Sequence, residues 1–415
     1  MKKGWDPIPL QDICTFGNGL WTGKKPPYLE VGVIRNTNFT KDGELDDSDI
    51  VYLKVEQGQF VKRRLHFGDI ILEKSGGGPK QPVGRVIIFD KEDGDFSFSN
   101  FTSVLRIINK KQVNFRFLHR YLYHLYISGV TEKMQSHSTG IRNLKFDDYK
   151  QIRVPLPPLS EQQHIVTILD EAFGAIAKAK ENAEKNIKNT KEIFNSVVEN
   201  VFTNGNGEWN YNEFSNVIVA LTDYHANGSY EILKENVELK ENEDYAWMVR
   251  STDFEQNFQN GFRYIDKNSY EFLKKSKIFG GEIIMSKIGN AGKVYLMPNI
   301  NRPCSLAMNL FLIRVDERKA IPEFIYRFLN SINGETQILS RLNGMATKTI
   351  TKDNVKSILI PIPQLKEQHH IVSIINTLAS ETKNLESIYH QKLADLDELK
   401  KSILEKAFAG ELTIN

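Results

Sequence analysis

The chain has 415 residues, more than one ordinary core accommodates, and its 40% hydrophobic and 26% charged composition is that of a folded, non-disordered protein. With 54 basic and 52 acidic residues the net charge is +2. No run approaches the roughly 18 apolar residues of a membrane span, so no membrane association is expected. The two cysteines, Cys14 and Cys304, make neither a disulfide framework nor a metal site, and no apolar stretch follows Lys2 and Lys3 as in a secretory signal. A cytoplasmic protein is the expectation.

Charge is uneven along the chain. Residues 1–153 carry 24 Lys and Arg against 18 Asp and Glu, a local excess of 24 − 18 = +6. An excess of that size is compatible with a polyanion partner and equally with an ordinary solvated surface.

In chain order, the first signal is Ile34-Arg35-Asn36-Thr37-Asn38-Phe39, a polar segment after an apolar run. Short β-rich runs follow at 69–72, 84–89 and 103–108, bounded by Gly, Pro and Asp. Between the first two lies the glycine-rich loop 73–85, which carries Lys74, Ser75, Gly76, Lys80 and Arg85. A short helix is expected over 115–126, then a polar segment, Ser138 to Asn143, containing Arg142. The Pro-x-Pro at 155–157 must be extended, and a long helix follows. Ser160 stands where an N-cap would, with Gln163 three residues on, a capping-box pattern. Ile165, Leu169, Ala172, Ile176, Ala179, Ala183, Ile187, Thr190, Phe194, Val197 and Val201 then form a seam of alternating fours and threes. Forty-odd helical residues make a rod of roughly 60 Å.

The second half repeats the first. Val154 to Val166 aligns without a gap on Ile360 to Val372 at an offset of 206. Trp209 answers Trp5, Val249-Arg250-Ser251-Thr252-Asp253-Phe254 answers 34–39, and Glu282-Ile283-Ile284 answers Asp69-Ile70-Ile71. Strands are expected at 282–285, 293–296 and 310–313, and a helix at 322–329. The loop Ser286-Lys287-Ile288-Gly289-Asn290-Ala291-Gly292-Lys293 matches the first glycine-rich loop, and Lys348-Thr349 matches Arg142-Asn143 in preceding the tail. The second tail carries its own seam: Ile371, Ile375, Leu378, Thr382, Leu385, Tyr389, Leu393, Leu396, Leu399 and Ile403. Two such stripes in one chain should pack on each other. The fold class is therefore α+β. Residues 1–153 and 206–359 are two similar domains with curved mixed sheets, and 154–205 and 360–415 are repeated tails with long helices.

Catalytic motifs are scarce. The segment 289–294 has the wrong spacing for a phosphate-binding loop and lacks its Ser/Thr. Phe16-Gly17-Asn18-Gly19 is unaccompanied by the Asn/Asp-Pro-Pro-Tyr/Phe motif that an amino-methyltransferase needs. Glu-x-Lys triplets at 317–319 and 398–400 lack a matched upstream Asp. His164 and His370 have no Cys or acidic set around them, and a packing role fits them better than metal binding. The glycine-rich loops fit binding. Small residues let backbone approach a phosphate, and Lys, Ser and Asn donate to phosphates or base edges. A plain hairpin turn is the alternative for one loop; recurrence in both halves favours function.

Pro-Leu-Pro-Pro-Leu-x-Glu-Gln-x-x-Ile at 155–165, repeated as Pro-Ile-Pro-Gln-Leu-x-Glu-Gln-x-x-Ile at 361–371, resembles the tail motif of specificity subunits of type I restriction-modification enzymes. Gln364 departs from it where the first copy has Pro158. The resemblance covers the whole chain. It implies two target-recognition domains that read a bipartite, asymmetric site on double-stranded DNA, joined by an antiparallel helix pair. It implies two modification (methyltransferase) subunits docked on this frame and added restriction subunits. It implies no catalysis and no cofactor in this subunit, with S-adenosylmethionine, ATP and Mg belonging to the partners. On this reading the DNA-facing candidates are Arg35, Asn36, Thr37, Lys74, Ser75, Gly76, Lys80, Arg85, Arg142 and Asn143 in the first half. In the second they are Arg250, Ser251, Thr252, Ser286, Lys287, Asn290, Lys293, Lys348 and Thr349. Leu159, Glu161, Gln162 and Ile165, with Leu365, Glu367, Gln368 and Ile371, are the candidates for helix and subunit docking. A fused methyltransferase and a coiled-coil scaffold without DNA binding are the competing classes; cofactor binding by the isolated chain and gel shift with pooled DNA discriminate them.

Overall fold

A computed structural model describes residues 5–21, 23–78, 81–136, 141–203 and 209–412. The chain forms two compact units. One contains residues 1–184 and 390–415, the other residues 185–389.

In the first unit, Cys14–Asn18, Thr102–Ile107, Asp69–Glu73 and Val86–Phe89 form a four-stranded antiparallel sheet in that order. The strand Asp69–Glu73 is buried at every position, which is why the three residues between its two carboxylates are all apolar. A separate mixed sheet joins Val51–Glu56, Tyr28–Ile34 and Phe96–Phe98. The second unit repeats this plan. Ile218–Asp223, Leu310–Val315, Ile283–Ser286 and Val294–Leu296 make the antiparallel sheet. Ala246–Val249 pairs in parallel with Cys304–Leu306 in the mixed one. Each domain thus carries one four-stranded antiparallel sheet and one mixed sheet, with smaller strand pairings beside them. Helices Phe115–Ile127 and Pro322–Leu329 cover the matching positions.

The tails hold the two longest helices, Leu159–Thr203 and Leu365–Ala409, 45 residues each. The first begins two residues earlier than the capping-box pattern implies, with Pro158 rather than Ser160 at its cap. The backbone N–H groups of Glu161 and Gln162 donate to the Pro158 carbonyl, so Ser160 lies inside the first turn. The polar residue buried at the helix start is the docking candidate Gln162. Its carboxamide oxygen accepts from Asn114 N at 2.8 Å, and its nitrogen donates to the carbonyls of Gln112 and Pro157. Gln368 makes the same three bonds to Ile321 N, Lys319 O and Pro363 O. Trp5 donates to Glu161 at 3.3 Å, and Trp209 to Glu367 at 3.0 Å. The docking quartets therefore spend their polar groups within their own domains, while Ile165 and Ile371 enter the cores and Leu159 and Leu365 stay half-buried.

Each core takes in segments of both long helices. The first holds Ile165 and Leu169 together with Leu404, Ala407 and Phe408. The second holds Ile371, Val372 and Ile375 together with Val198 and Phe202. Within the second unit Asn186 bonds Tyr389 at 3.1 Å and Lys191 reaches Glu386, the descending register of an antiparallel pair. Within the first, Lys180 pairs with Asp397. Two expected seam positions, Leu385 and Leu399, are exposed. Near its end the second helix turns Leu404 and Ala407 inward instead, because that stretch docks on Phe117 and Leu118 as well as on its partner helix.

Gln162→Ala would strand a backbone N–H and two carbonyls at the helix start. It should destabilise the first unit by about 2–3 kcal/mol, the usual cost of buried polar groups left unpaired. The check is a lowered urea midpoint, with Gln163→Ala as the neutral control.

Candidate nucleic-acid interface

The two recurrent loops of each half meet at one end of its central strand. In the first unit Ser75–Gly77 pairs antiparallel with Arg142–Leu144, and Leu144 N donates to Lys74 O at 2.8 Å. In the second, Ile288 bridges to Thr349, and Ile350 N donates to Lys287 O at 3.1 Å. The sequence places these segments some 60 residues apart, and nothing in their spacing shows that they pair. Gly76 sits at φ +98°, a conformation that side chains resist, and a Cβ there would lie 3.0 Å from Asn36 Nδ2.

Beneath the first loop is a bidentate ion pair. Arg85 Nε is 2.7 Å from Glu73 Oε2, and Arg85 Nη2 is 2.9 Å from Oε1. Both side chains are buried. The same guanidinium donates to the carbonyls of Phe39 and Asn36, and Asn36 Nδ2 donates to Glu73 Oε1 and Ser75 O. This corrects the reading of Arg85 as a residue that reaches outward. It and the Asn36 amide nitrogen hold the loop from below. Ser75 Oγ bonds Asn143 Oδ1 at 2.5 Å. Thr37 is exposed beside a cleft of about 690 Å³ that Gly76, Lys41 and Tyr126 also line. Arg35 pairs with Asp49, and Arg142 with Glu132.

Lys74 and Lys287 follow the ends of matched strands, and each reaches the end of the neighbouring strand. Lys74 Nζ meets the neutral Asn18 Oδ1 at 2.9 Å. Lys287 Nζ meets the carboxylate of Asp223 at 3.2 Å, which Lys352 also approaches at 3.7 Å. Burial lowers the Lys74 pKa, and no charged group among the described residues offsets it. The first lysine thus keeps an uncompensated charge while the second is neutralised. Asn18 and Asp223 were not among the sequence candidates; the alternation that aims a strand-end side chain at its neighbour is the signal that could have found them.

The remaining second-half candidates divide. Lys293, Asn290 and Tyr295 all converge on Glu255 Oε1, at 3.1, 3.5 and 3.4 Å, and the hydrogen bond to Glu255 raises the Lys293 pKa. Arg250 is held by Asp253 and the Gly261 carbonyl. Ser286 is buried, Ser251 and Thr349 are half-buried, and Thr252 is exposed. Lys348 is exposed and among the described residues has no ion-pair partner. Lys80, Ser138 and Thr139 lie outside the described residues. Among the described residues no cluster of three or more His, Cys, Asp and Glu is set for a metal, and no helix is long and apolar enough to cross a membrane.

A family model for the type I restriction modification DNA specificity domain matches residues 2–189 and 220–393, one copy on each repeat. The chain belongs to the type I DNA specificity family. It is 24% identical over its full length to the type I restriction enzyme EcoKI specificity subunit of Escherichia coli K12, covering 90% of that protein. It is 24% identical over 77% of its length to the E. coli EcoBI specificity subunit, covering 72% of it. Its fold is similar to a chain solved in a study of type I R-M system assembly, with a TM-score of 0.77, 16% identity and 98% of both chains covered. The HsdS subunit of Thermoanaerobacter tengcongensis gives 0.61 at 17% identity, over 99% of this chain and 98% of that one. For a specificity subunit, the pairing of the two loops at one strand end is the feature that gives each domain a single polar edge.

Arg85→Ala would leave Glu73 buried without its partner and should cost about 3–5 kcal/mol. Lys74→Ala, which loses one bond to a neutral amide, should cost under about 1 kcal/mol. Thermal unfolding of the two variants side by side separates the loop's support from its exposed face.

Proposed function

We propose that this specificity subunit reads a bipartite, asymmetric site on double-stranded DNA, one half-site per repeat, and performs no chemistry itself. In the complex it docks two modification subunits and, for cleavage, restriction subunits. S-adenosylmethionine, ATP and Mg act in those partners, and the complex works in the cytoplasm. The observation that carries the reading is the family match on both repeats, together with a paired loop edge at the same place in each. The edges differ in charge and in side chains, as two readers of unlike sequences must. Phosphate contacts supply affinity shared by all sequences, and base-edge contacts supply the choice.

Methylome sequencing of cells carrying this subunit and its partners should show one bipartite motif. Exchanging residues 1–150 for the equivalent part of a relative should change one half of that motif and leave the other. A simultaneous change in both halves, or no motif, contradicts the proposal.

The lysines provide a finer test. Lys74→Ala removes a charge that faces a neutral amide, so the slope of log affinity against log salt should fall by about one. Lys287→Ala removes a charge already shared with Asp223, so its slope should fall clearly less. Titrations of cognate and scrambled DNA at several salt concentrations check both.

A further inference from the structure

The second glycine-rich loop is tied down differently from the first. Lys293 Nζ, Asn290 Nδ2 and Tyr295 Oη all reach one atom, Oε1 of Glu255, at 3.1, 3.5 and 3.4 Å. The donors come from the loop and from the strand Val294–Leu296 that follows it, and the acceptor ends the short helix Ser251–Glu255. The Tyr295 ring stacks on Phe254 at 4.5 Å, and Lys293 lies 5.5 Å from the centre of the same ring. The hydrogen bond from Lys293 holds the Glu255 carboxyl below its ordinary pKa, so the acceptor is an anion.

The strand registers show what this contact replaces. Leu72 faces Val86 as Met285 faces Val294, so Lys293 stands where the first domain has Arg85. Ile70 faces Leu105 as Ile283 faces Ile313, so Ser286 stands where the first domain has Glu73. The two cations are therefore equivalent, and their carboxylates are not. Glu73 lies beneath its loop, and the Arg85 and Glu73 side chains are only 10% and 2% exposed. Ser286 offers no such partner, and Lys293 turns instead to a residue on the surface. Lys293 and Glu255 are 48% and 39% exposed. Position 255 answers Thr40 of the first repeat, which carries no charge.

The buried pair supports its loop permanently, because no solvent or ligand competes for Glu73. The exposed pair can exchange. Rotation of the Glu255 side chain alone uncovers Oε1's place, where any oxygen would stand within reach of all three donors. One of those donors is a cation, and an exposed ion pair of this kind is held weakly. An anionic oxygen met by Lys, Asn and Tyr donors at the edge of a DNA-reading domain is the chemistry of a backbone phosphate.

We infer that Lys293, Asn290 and Tyr295 form a phosphate site for the DNA backbone, and that Glu255 fills it in the free protein and yields it when DNA docks. The inference rests on the reading above, in which this edge faces DNA. A phosphate contact carries no sequence information. Glu255 therefore weakens binding to every sequence alike and leaves the choice of base to other side chains.

The test uses the full chain in complex with its modification subunits, titrated with cognate and scrambled DNA at several salt concentrations. Glu255→Gln keeps the size of the side chain and removes its charge, and a melting temperature close to that of the wild type confirms the fold. The variant should bind both DNAs roughly two- to fivefold tighter, the range an exposed ion pair covers, with a salt slope steeper by about one. Adding Lys293→Ala should return affinity and slope to about the wild-type values. Independently, methylphosphonate linkages placed one at a time along the cognate site should reveal one position whose neutralisation weakens Glu255→Gln and leaves the double variant unchanged. Unchanged affinity in Glu255→Gln, a gain confined to cognate DNA, a gain that survives the loss of Lys293, or the lack of such a linkage overturns the phosphate site alone. A wild-type complex that binds no DNA overturns the DNA reading and this site with it.

Discussion

Each core is closed by an aromatic ring that arrives from a distant part of the chain. Phe408 packs edge-on against Phe117 and Tyr121 at ring separations of 5.5 and 5.1 Å. Phe202 does the same against Phe324 and Phe328, at 5.5 Å to each. Such rings contribute large buried area and a preferred T-shaped geometry. Because each ring ends a long helix, neither repeat completes its core from its own residues. The first unit needs the end of the second tail, and the second unit needs the end of the first. The antiparallel course of the helices is thereby tied to the folding of both domains, not added after it.

The glutamine at each helix start is the second fixed point. Its three bonds tie the extended Pro-x-Pro segment, the first turn of the long helix and the start of the shorter covering helix into one joint. A carboxamide suits this place because it donates and accepts at once; a carboxylate would only accept and an ammonium only donate. With the joint and the aromatic closure set, the central strand of each domain has two defined ends. One carries the paired loops with their lysine, the other a carboxylate–arginine pair, Asp69–Arg106 or Glu282–Arg314.

The loop ends differ in what holds them. A buried Arg85–Glu73 pair supports the loop in one domain, while a surface cluster around Glu255 ties the loop in the other. Asn18 gives Lys74 a neutral partner, whereas Asp223 gives Lys287 a carboxylate. The same backbone frame thus presents two electrostatically distinct edges, and the difference depends on side chains at strand ends that cost the fold little to change.

Much was legible in the sequence alone. The gapless repeat from Val154 and Ile360, the proline-free seams and the Gly-Asp-Ile-Ile strand start gave two domains, two long helices and the family, because periodicity and repetition are local signals. The tertiary structure decided what depends on contacts across many residues. It gave Gln162 its three partners in the joint and brought Ser75 against Asn143. It buried Arg85 beneath the glycine-rich loop, and turned Leu385 and Leu399 outward while Leu404 went in. A residue's type fixes what it can bond; only the fold fixes which partner stands within reach and whether water is left to compete.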